Sequence, residues 1–275
     1  MKQVIKFFVR KIQFFITDLI YPNTIKLFFF HGKHNFGDVI NPIVFEKFSG
    51  KKTSWVEPEF YTKENYLAIG SILEFATSDS IVWGSGFLSK DGKCLAKPKK
   101  VCAVRGPLTR EILLKEGVEC PEIYGDPALL LPKIYKPKVT LKYKLGIVPH
   151  YVDKNHKWLK TIQSDPSVKI LDIQEKDPYK FIDELLSCEK IASSSLHGVI
   201  VADAYEIPSI WIEFSDKVKG EGFKFFDYFQ SVHRENEKPL KIIGSTKLSE
   251  IYSQFKNYKI KIDLDALYNA FPKVK

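Results

Sequence analysis

"IKLFFFHGKHNFGDVINPIVFEKF", residues 25–48, decides how this chain is to be read. An apolar run over 25–30 breaks off in His, Gly, Asn and Asp, and an apolar helical segment restarts at "INPIVFEKF". Hydrophobicity on successive residues suits a strand of a parallel sheet covered on both faces. Asn35 and Gly37 permit a tight turn, while Asp38 and Asn41 fall at or just inside the start of the helix. A helix N-terminus presents free N–H groups and a partial positive charge, so this corner suits a phosphate or carboxylate. The plainer reading is that Asp38 only caps the helix.

The same alternation recurs along the chain. Strands are expected at "YLAIGS" (66–71), "SIVWGSG" (80–86), "KVCAVRG" (100–106) and "EIYGDPALL" (122–130), with helices at "SILEFA" and "PLTREILLKEG". Pro107 is placed to open the last of these and Gly117 to close it. The lysine- and proline-bearing stretch 133–144 reads as a linker. A second series follows it: "KLGIVPHY", "HKWLKTIQ", "VKILDIQ", "YKFIDELLS", "EKIASSS", "LHGVIVADAYE" and "PSIWIEF". The expected fold class is α/β, with two Rossmann-like doubly wound domains facing a central cleft. The expected divisions are an N-terminal helix (1–24), a first domain (25–132), the linker (133–144) and a second domain (145–275) that includes C-terminal helices.

In open parallel sheets, ligands bind outside the carboxyl ends of the strands, and the polar clusters of both halves fall there. Gly84, Ser85 and Gly86 follow one strand, and small residues allow a ligand or a neighbouring loop to approach the backbone. Arg105 stands at a strand end before Pro107, where a guanidinium grips an anion in bidentate fashion or forms a plain ion pair. Asp126 either positions a hydroxyl, orients Arg105 or starts a turn before Pro127. In the second half His150 ends "LGIVPH", and His197 follows the hydroxyl-rich Ser193, Ser194 and Ser195. Histidine moves protons near neutral pH; the competing reading is a capped helix start with a satisfied histidine. Lys224, in "GEGFKFFDYFQ", is a further candidate phosphate contact. Neither HExxH nor clustered ligand spacing points to a catalytic metal, and there is no GxSxG elbow.

Composition bounds the function class. The 275 residues are 44% hydrophobic and 27% charged, as in a soluble globular protein with a core large enough to need no staple. Cys94, Cys102, Cys120 and Cys188 are scattered and read as reduced, cytoplasmic residues. The net charge of +9 is concentrated: residues 1–33, 90–100 and 133–144 together carry +14 and the remainder −5. Such a surface suits anionic partners. No nucleic-acid motif is present, and no nucleic-acid partner is expected.

The first twenty residues, "MKQVIKFFVRKIQFFITDLI", are too interrupted by Lys6, Arg10 and Lys11 to span a bilayer. As a helix they place Val4, Phe8, Ile12, Phe15 and Leu19 on one face and Lys6, Arg10, Gln13 and Thr17 on another. That pattern fits peripheral association with an anionic membrane through residues 2–20, and equally a helix packing its phenylalanines on the main body.

"NFGDVINP", "VWGSG", "VRGPLT", "YGDPALLLP", "GIVPHY", "SSSLHGVIVADAYEIPSIW" and "KFFDYF" stand in an order that resembles the polysaccharide pyruvyl transferase family over residues 27 to about 230. The resemblance implies a GT-B-like fold and transfer of pyruvate from phosphoenolpyruvate onto two hydroxyls of a sugar, closing a cyclic ketal. It implies no cofactor beyond phosphoenolpyruvate as co-substrate. The acceptor would belong to a bacterial surface polysaccharide or its lipid-linked precursor, with the enzyme at the inner face of the plasma membrane.

By the same resemblance Arg105, His197 and Lys224 hold or activate the donor and acceptor. Many relatives carry arginine just before Leu-His, where this chain has Ser195. An exopolysaccharide ketal-pyruvate branch shares the serine, and Arg105 then becomes the expected partner of the donor carboxylate. On this reading His197 protonates the enol carbon or acts through its phosphate, and Asp38 or Asp126 accepts a hydroxyl proton. The rival expectations are a GT-B glycosyltransferase using a nucleotide sugar, and a non-catalytic membrane-surface scaffold of a glycan-assembly complex.

Overall fold

The computed structural model describes residues 2–32, 34–234 and 237–274, with side chains from residue 9 onward except Phe15. Helix α1 (Lys2–Ile20) precedes strand β1 (Ile25–Phe28), whose four residues are all buried. Helix α2 (Phe36–Ser49) follows and ends at Gly50, whose left-handed backbone returns its N–H to the Glu46 carbonyl. Strands β2 (Thr53–Trp55), β3 (Asn65–Leu67), β4 (Ser80–Trp83) and β5 (Lys100–Ala103) complete a five-stranded sheet. Helix α3 (Pro107–Lys115) opens on Pro107, where the missing N–H costs nothing.

The second half repeats this plan. Strand β6 (Leu145–Val148), helix α4 (Lys157–Ile162), strand β7 (Val168–Ile170) and helix α5 (Pro178–Leu186) lead to β8 (Ile191–Ser193). Helix α6 (Leu196–Ala204), strand β9 (Ser209–Glu213), helix α7 (Phe223–Ser231) and a two-residue β10 (Leu240–Lys241) follow. The orders are β2-β1-β3-β4-β5 and β7-β6-β8-β9-β10, and every pairing is parallel. Each sheet therefore reverses winding direction at one place, between β1 and β3 or between β6 and β8. That crevice is where doubly wound sheets hold ligands.

Two stretches depart from the sequence expectation. "EIYGDPALL" makes only a single bridge, Val104 to Tyr124, before a 3-10 turn over Pro127–Lys133. "SILEFA" is likewise a 3-10 turn, Leu73–Phe75. Strand β2, which is short and only half-buried, has no expected counterpart.

One hydrophobic cluster runs through both halves, from Leu27, Phe36 and Trp83 to Phe181, Val199 and Trp211. Phe36 carries much of the joint. Its ring lies 4.6 Å from Phe181, and its N–H donates to the Ile173 carbonyl at 2.9 Å. Between the halves Tyr135 is half-buried, accepting from the Tyr205 hydroxyl and donating to Asp183. Beyond helix α8 (Leu248–Ser253), helix α9 (Leu264–Asn269) crosses back to the first sheet. There the Trp83 indole donates to the Leu267 carbonyl and stacks edge-on with Phe271.

A core shared in this way makes the halves unfold together. Urea unfolding followed by tryptophan fluorescence, with Trp83 in one half and Trp158 and Trp211 in the other, should coincide with far-ultraviolet circular dichroism in a single transition. Phe36→Ala should lower stability by about 3–5 kcal/mol. Two separated transitions would show the halves to be independent.

Candidate active site

The loops after β1, β3, β6 and β8 meet around a cavity of about 550 Å³. These are the four strands that flank the two switch points. Asn35, Asp38, His150, Ser195, His197 and Lys224, all singled out in sequence, line it. A larger surface groove of about 1130 Å³, between Lys97–Lys100 and Phe271, holds no histidine and no unsatisfied buried side chain.

His197 stands in the first turn of α6 and reaches across to the other half. A methyl group on Gly37 would fall 2.0 Å from its Cε1, so the glycine is what admits the ring. Its Nε2 lies 3.7 Å from Oδ2 of Asp126. Both atoms are buried and neither has a hydrogen-bond partner, although a movement of about 1 Å would join them. Asp126 is held in place by its other oxygen, which accepts the Ala128 N–H at 2.9 Å.

Asp38 lies in the first turn of α2 and does not cap it; Asn35 occupies the cap position without a side-chain cap bond. The Asp38 carboxylate accepts only the Phe30 N–H, at 3.3 Å. Burial pushes its pKa up to about 6, and the neighbouring His197 and the Phe30 bond hold it from going further. Asn35 adds another unsatisfied buried oxygen. Burial, reinforced by the positive charge of Arg105, pushes the Lys224 ammonium down to about 8. His150 and Ser194 tie β6 to β8, the His150 N–H donating to the Ser194 hydroxyl at 2.8 Å. No three metal-capable side chains gather among the described residues.

Other singled-out residues lie behind the wall. Arg105 is completely buried, and each guanidinium nitrogen donates to protein: Nε to Asp227 at 2.9 Å, Nη1 to Ser71 at 2.8 Å, Nη2 to the Phe87 carbonyl at 2.7 Å. The direct grip on a ligand carboxylate expected from sequence is thus replaced by a grip on Asp227. Arg105 acts on the cavity through Ser71, which lines it, and through its field on Lys224.

Gly86 leaves room for that guanidinium, which a Cβ would meet at 2.5 Å, and Gly84 leaves room for Pro127. Ser85 donates to the Ala68 carbonyl. Asn41 clamps α2 to the loop after β3 through both main-chain groups of Ile69. These four shape the wall by packing and do not open into the cavity. Gly70 and Ser71 line the cavity without having been singled out, although "YLAIGS" ends in them at a strand end. Lys217 and Lys219 also line it, in a loop with no periodic signal.

A family model described as polysaccharide pyruvyl transferase matches residues 49–216. That span includes Arg105, Asp126, His150 and His197; Asp38 lies before it and Lys224 after it. Uncharacterized protein L143 of Acanthamoeba polyphaga mimivirus is 32% identical over 240 residues, covering 84% of this chain and 82% of that protein. Succinoglycan biosynthesis protein ExoV of Rhizobium meliloti (strain 1021) is 28% identical over 221 residues, 75% of this chain and 65% of that protein. The chain thus spans just under two thirds of the latter's length. Among solved structures, the protein KP1_0663 from Klebsiella pneumoniae aligns over 85% of this chain and 98% of its own, with a TM-score of 0.43 and 15% identity.

Asp38 has a stability signature. Its folded pKa lies above the unfolded value, so between about pH 4 and pH 6 the native state holds the extra proton and stability falls as pH rises. Above pH 6 the penalty is complete. Asp38→Asn should therefore be more stable than the wild type at pH 8 by about 1–3 kcal/mol, with the difference closing below about pH 4. Denaturation at the two pH values measures this, and a variant less stable at pH 8 would contradict the assignment.

Proposed function

The chain belongs to the polysaccharide pyruvyl transferase family, and from that premise we propose that it moves pyruvate from phosphoenolpyruvate onto two hydroxyls of a sugar. The product is a cyclic ketal on a bacterial surface polysaccharide or its lipid-linked precursor. The two facing sheets then work as a GT-B-like cleft enzyme. The observation that carries this reading is the convergence of Asp38, His197 and Lys224 on one cavity between the two sheets, with Asp126 behind the His197 ring.

The reaction needs one proton delivered to carbon, two hydroxyl protons removed, and the loss of a phosphate. His197 delivers the proton to C3 of the enol, leaving C2 electrophilic. Asp126 steadies the imidazolium through Nε2, so that Nδ1 serves the substrate. A sugar hydroxyl attacks C2 and Asp38, largely ionised above pH 6, takes its proton. The C2–O bond to phosphate breaks, and the second hydroxyl closes the ketal. Of the two hydroxyl protons, one replaces that spent on C3 and the other leaves with phosphate.

Lys224, with Arg105 behind it, offsets the charge gathering on the departing phosphate. The donor carboxylate finds the N-terminus of α6, where Ser195 stands as a cap without a side-chain cap bond. Asn35 accepts from a sugar hydroxyl with its unsatisfied oxygen.

Phosphoenolpyruvate should raise the melting temperature, because a ligand that binds only the native state stabilises it. The shift should vanish in Lys224→Met, and it should fade as pH rises through about 8, where the free ammonium loses its proton. His197→Asn should keep the shift and lose at least about a hundredfold in phosphate release with acceptor. Stabilisation by nucleotide sugars but not by phosphoenolpyruvate would replace this reading with glycosyl transfer.

A further inference from the structure

Helix α1 is anchored by one side and bare on the other. Phe14, 2% exposed, packs between Trp55 and Tyr61, while Asp18 is taken up by Tyr61, Lys26 and Lys63. The opposite side presents Val9, Ile12, Ile16, Leu19 and Ile20, each between 46% and 66% exposed. Their spacing keeps all five on one helical face. The sequence pattern anticipated Ile12 and Leu19 on that face but missed Phe14 as the anchor; the side chains of Val4, Phe8 and Phe15 lie outside the described residues. No helix among the described residues is long and apolar enough to cross a membrane.

Charge identifies the occupant of this face. The stripe runs into a surface depression of about 980 Å³ lined by Ile20, Tyr21, Lys51, Lys52 and Lys63. The Lys52 and Lys63 side chains are 82% and 66% exposed. The ion pairs there join Asp18 to Lys26 and Lys63, Glu46 to Lys52 and Glu64 to Lys99, and with Lys51 five lysines stand against three acids, so the surface keeps a positive balance. An exposed apolar stripe flanked by lysines matches an anionic bilayer, whose acyl boundary takes the one and whose phosphates take the other.

Position links this surface to the site. The Arg10 guanidinium lies over the Trp55 ring, and Trp55 in turn packs 5.6 Å from His31, which lines the cavity. One aromatic layer therefore separates the helix from the cavity rim.

We propose that α1 is an interfacial anchor: its stripe enters the headgroup boundary of an anionic membrane and holds the cavity mouth beside that surface. Resting on the transferase reading, the acceptor presented there is a lipid-linked saccharide, met at the height of its own headgroup.

The test is co-sedimentation of the full chain with phosphatidylglycerol–phosphatidylcholine vesicles and with pure phosphatidylcholine vesicles. Binding to the mixed vesicles only, weakened by salt, is expected, and the triple variant Ile12→Ser, Ile16→Ser, Leu19→Ser should lower the bound fraction about tenfold or more. These residues touch no part of the cavity, so the variant should keep its melting temperature and its phosphoenolpyruvate shift. Failure of the shift in both proteins counts against the transferase reading alone, and failure of sedimentation counts against the anchor alone. Equal binding by the variant, equal binding to neutral vesicles, or no binding together with a stripe-dependent dimer on gel filtration would overturn the anchor.

Discussion

The contact on which the site depends is that of the His197 ring with the bare Cα of Gly37. Each sheet, taken alone, offers half of a ligand crevice at its switch point. The imidazole crossing into the space left by a glycine turns two halves into one cavity. It also brings a basic nitrogen between two carboxylates of the other half, Asp38 and Asp126. The rest of the fold keeps that crossing in register: Phe36 against Phe181, α6 against the turn after Asp126, and α9 returning over Trp83.

The arrangement is costly as structure. A buried carboxylate with one long hydrogen bond, a facing histidine and carboxylate that do not quite meet, and an unsatisfied asparagine oxygen all lower stability. The Arg105–Asp227 pair shows how the same chain treats buried charges behind the cavity wall: joined through the Arg105 Nε and fully partnered, with Thr109 completing the carboxylate. The contrast separates a structural ion pair from groups kept ready for a ligand, and it weighs against a scaffold that has no use for them.

Much of this was legible in the chain. Strand, polar loop and helix followed one another with enough periodicity to place both halves, and polar residues at strand ends named Asn35, Asp38, His150 and His197. Asp227 was not legible, because its partner stands 122 residues away and no local pattern marks an ion pair. For the same reason Arg105 read as a ligand grip. Gly84 and Gly86 read as a ligand loop because glycine signals close approach without saying of what. The stretch after Tyr124 read as a strand from its apolar residues, whereas Asp126 and Pro127 start a turn there. On α1, hydrophobicity alone could not tell which phenylalanine anchors the helix, since that depends on Trp55 and Tyr61 arriving from a distant loop.

In the proposed reaction a proton carried by His197 reaches the enol carbon of phosphoenolpyruvate while sugar hydroxyls close on C2. The direct measurement is proton and carbon NMR of the product formed in heavy water from phosphoenolpyruvate and lipid-linked saccharide. The proposed reaction yields a ketal whose methyl group carries one solvent deuterium, released with one equivalent of inorganic phosphate. A product with no pyruvate-derived methyl group, or a methyl group without solvent deuterium, would contradict it.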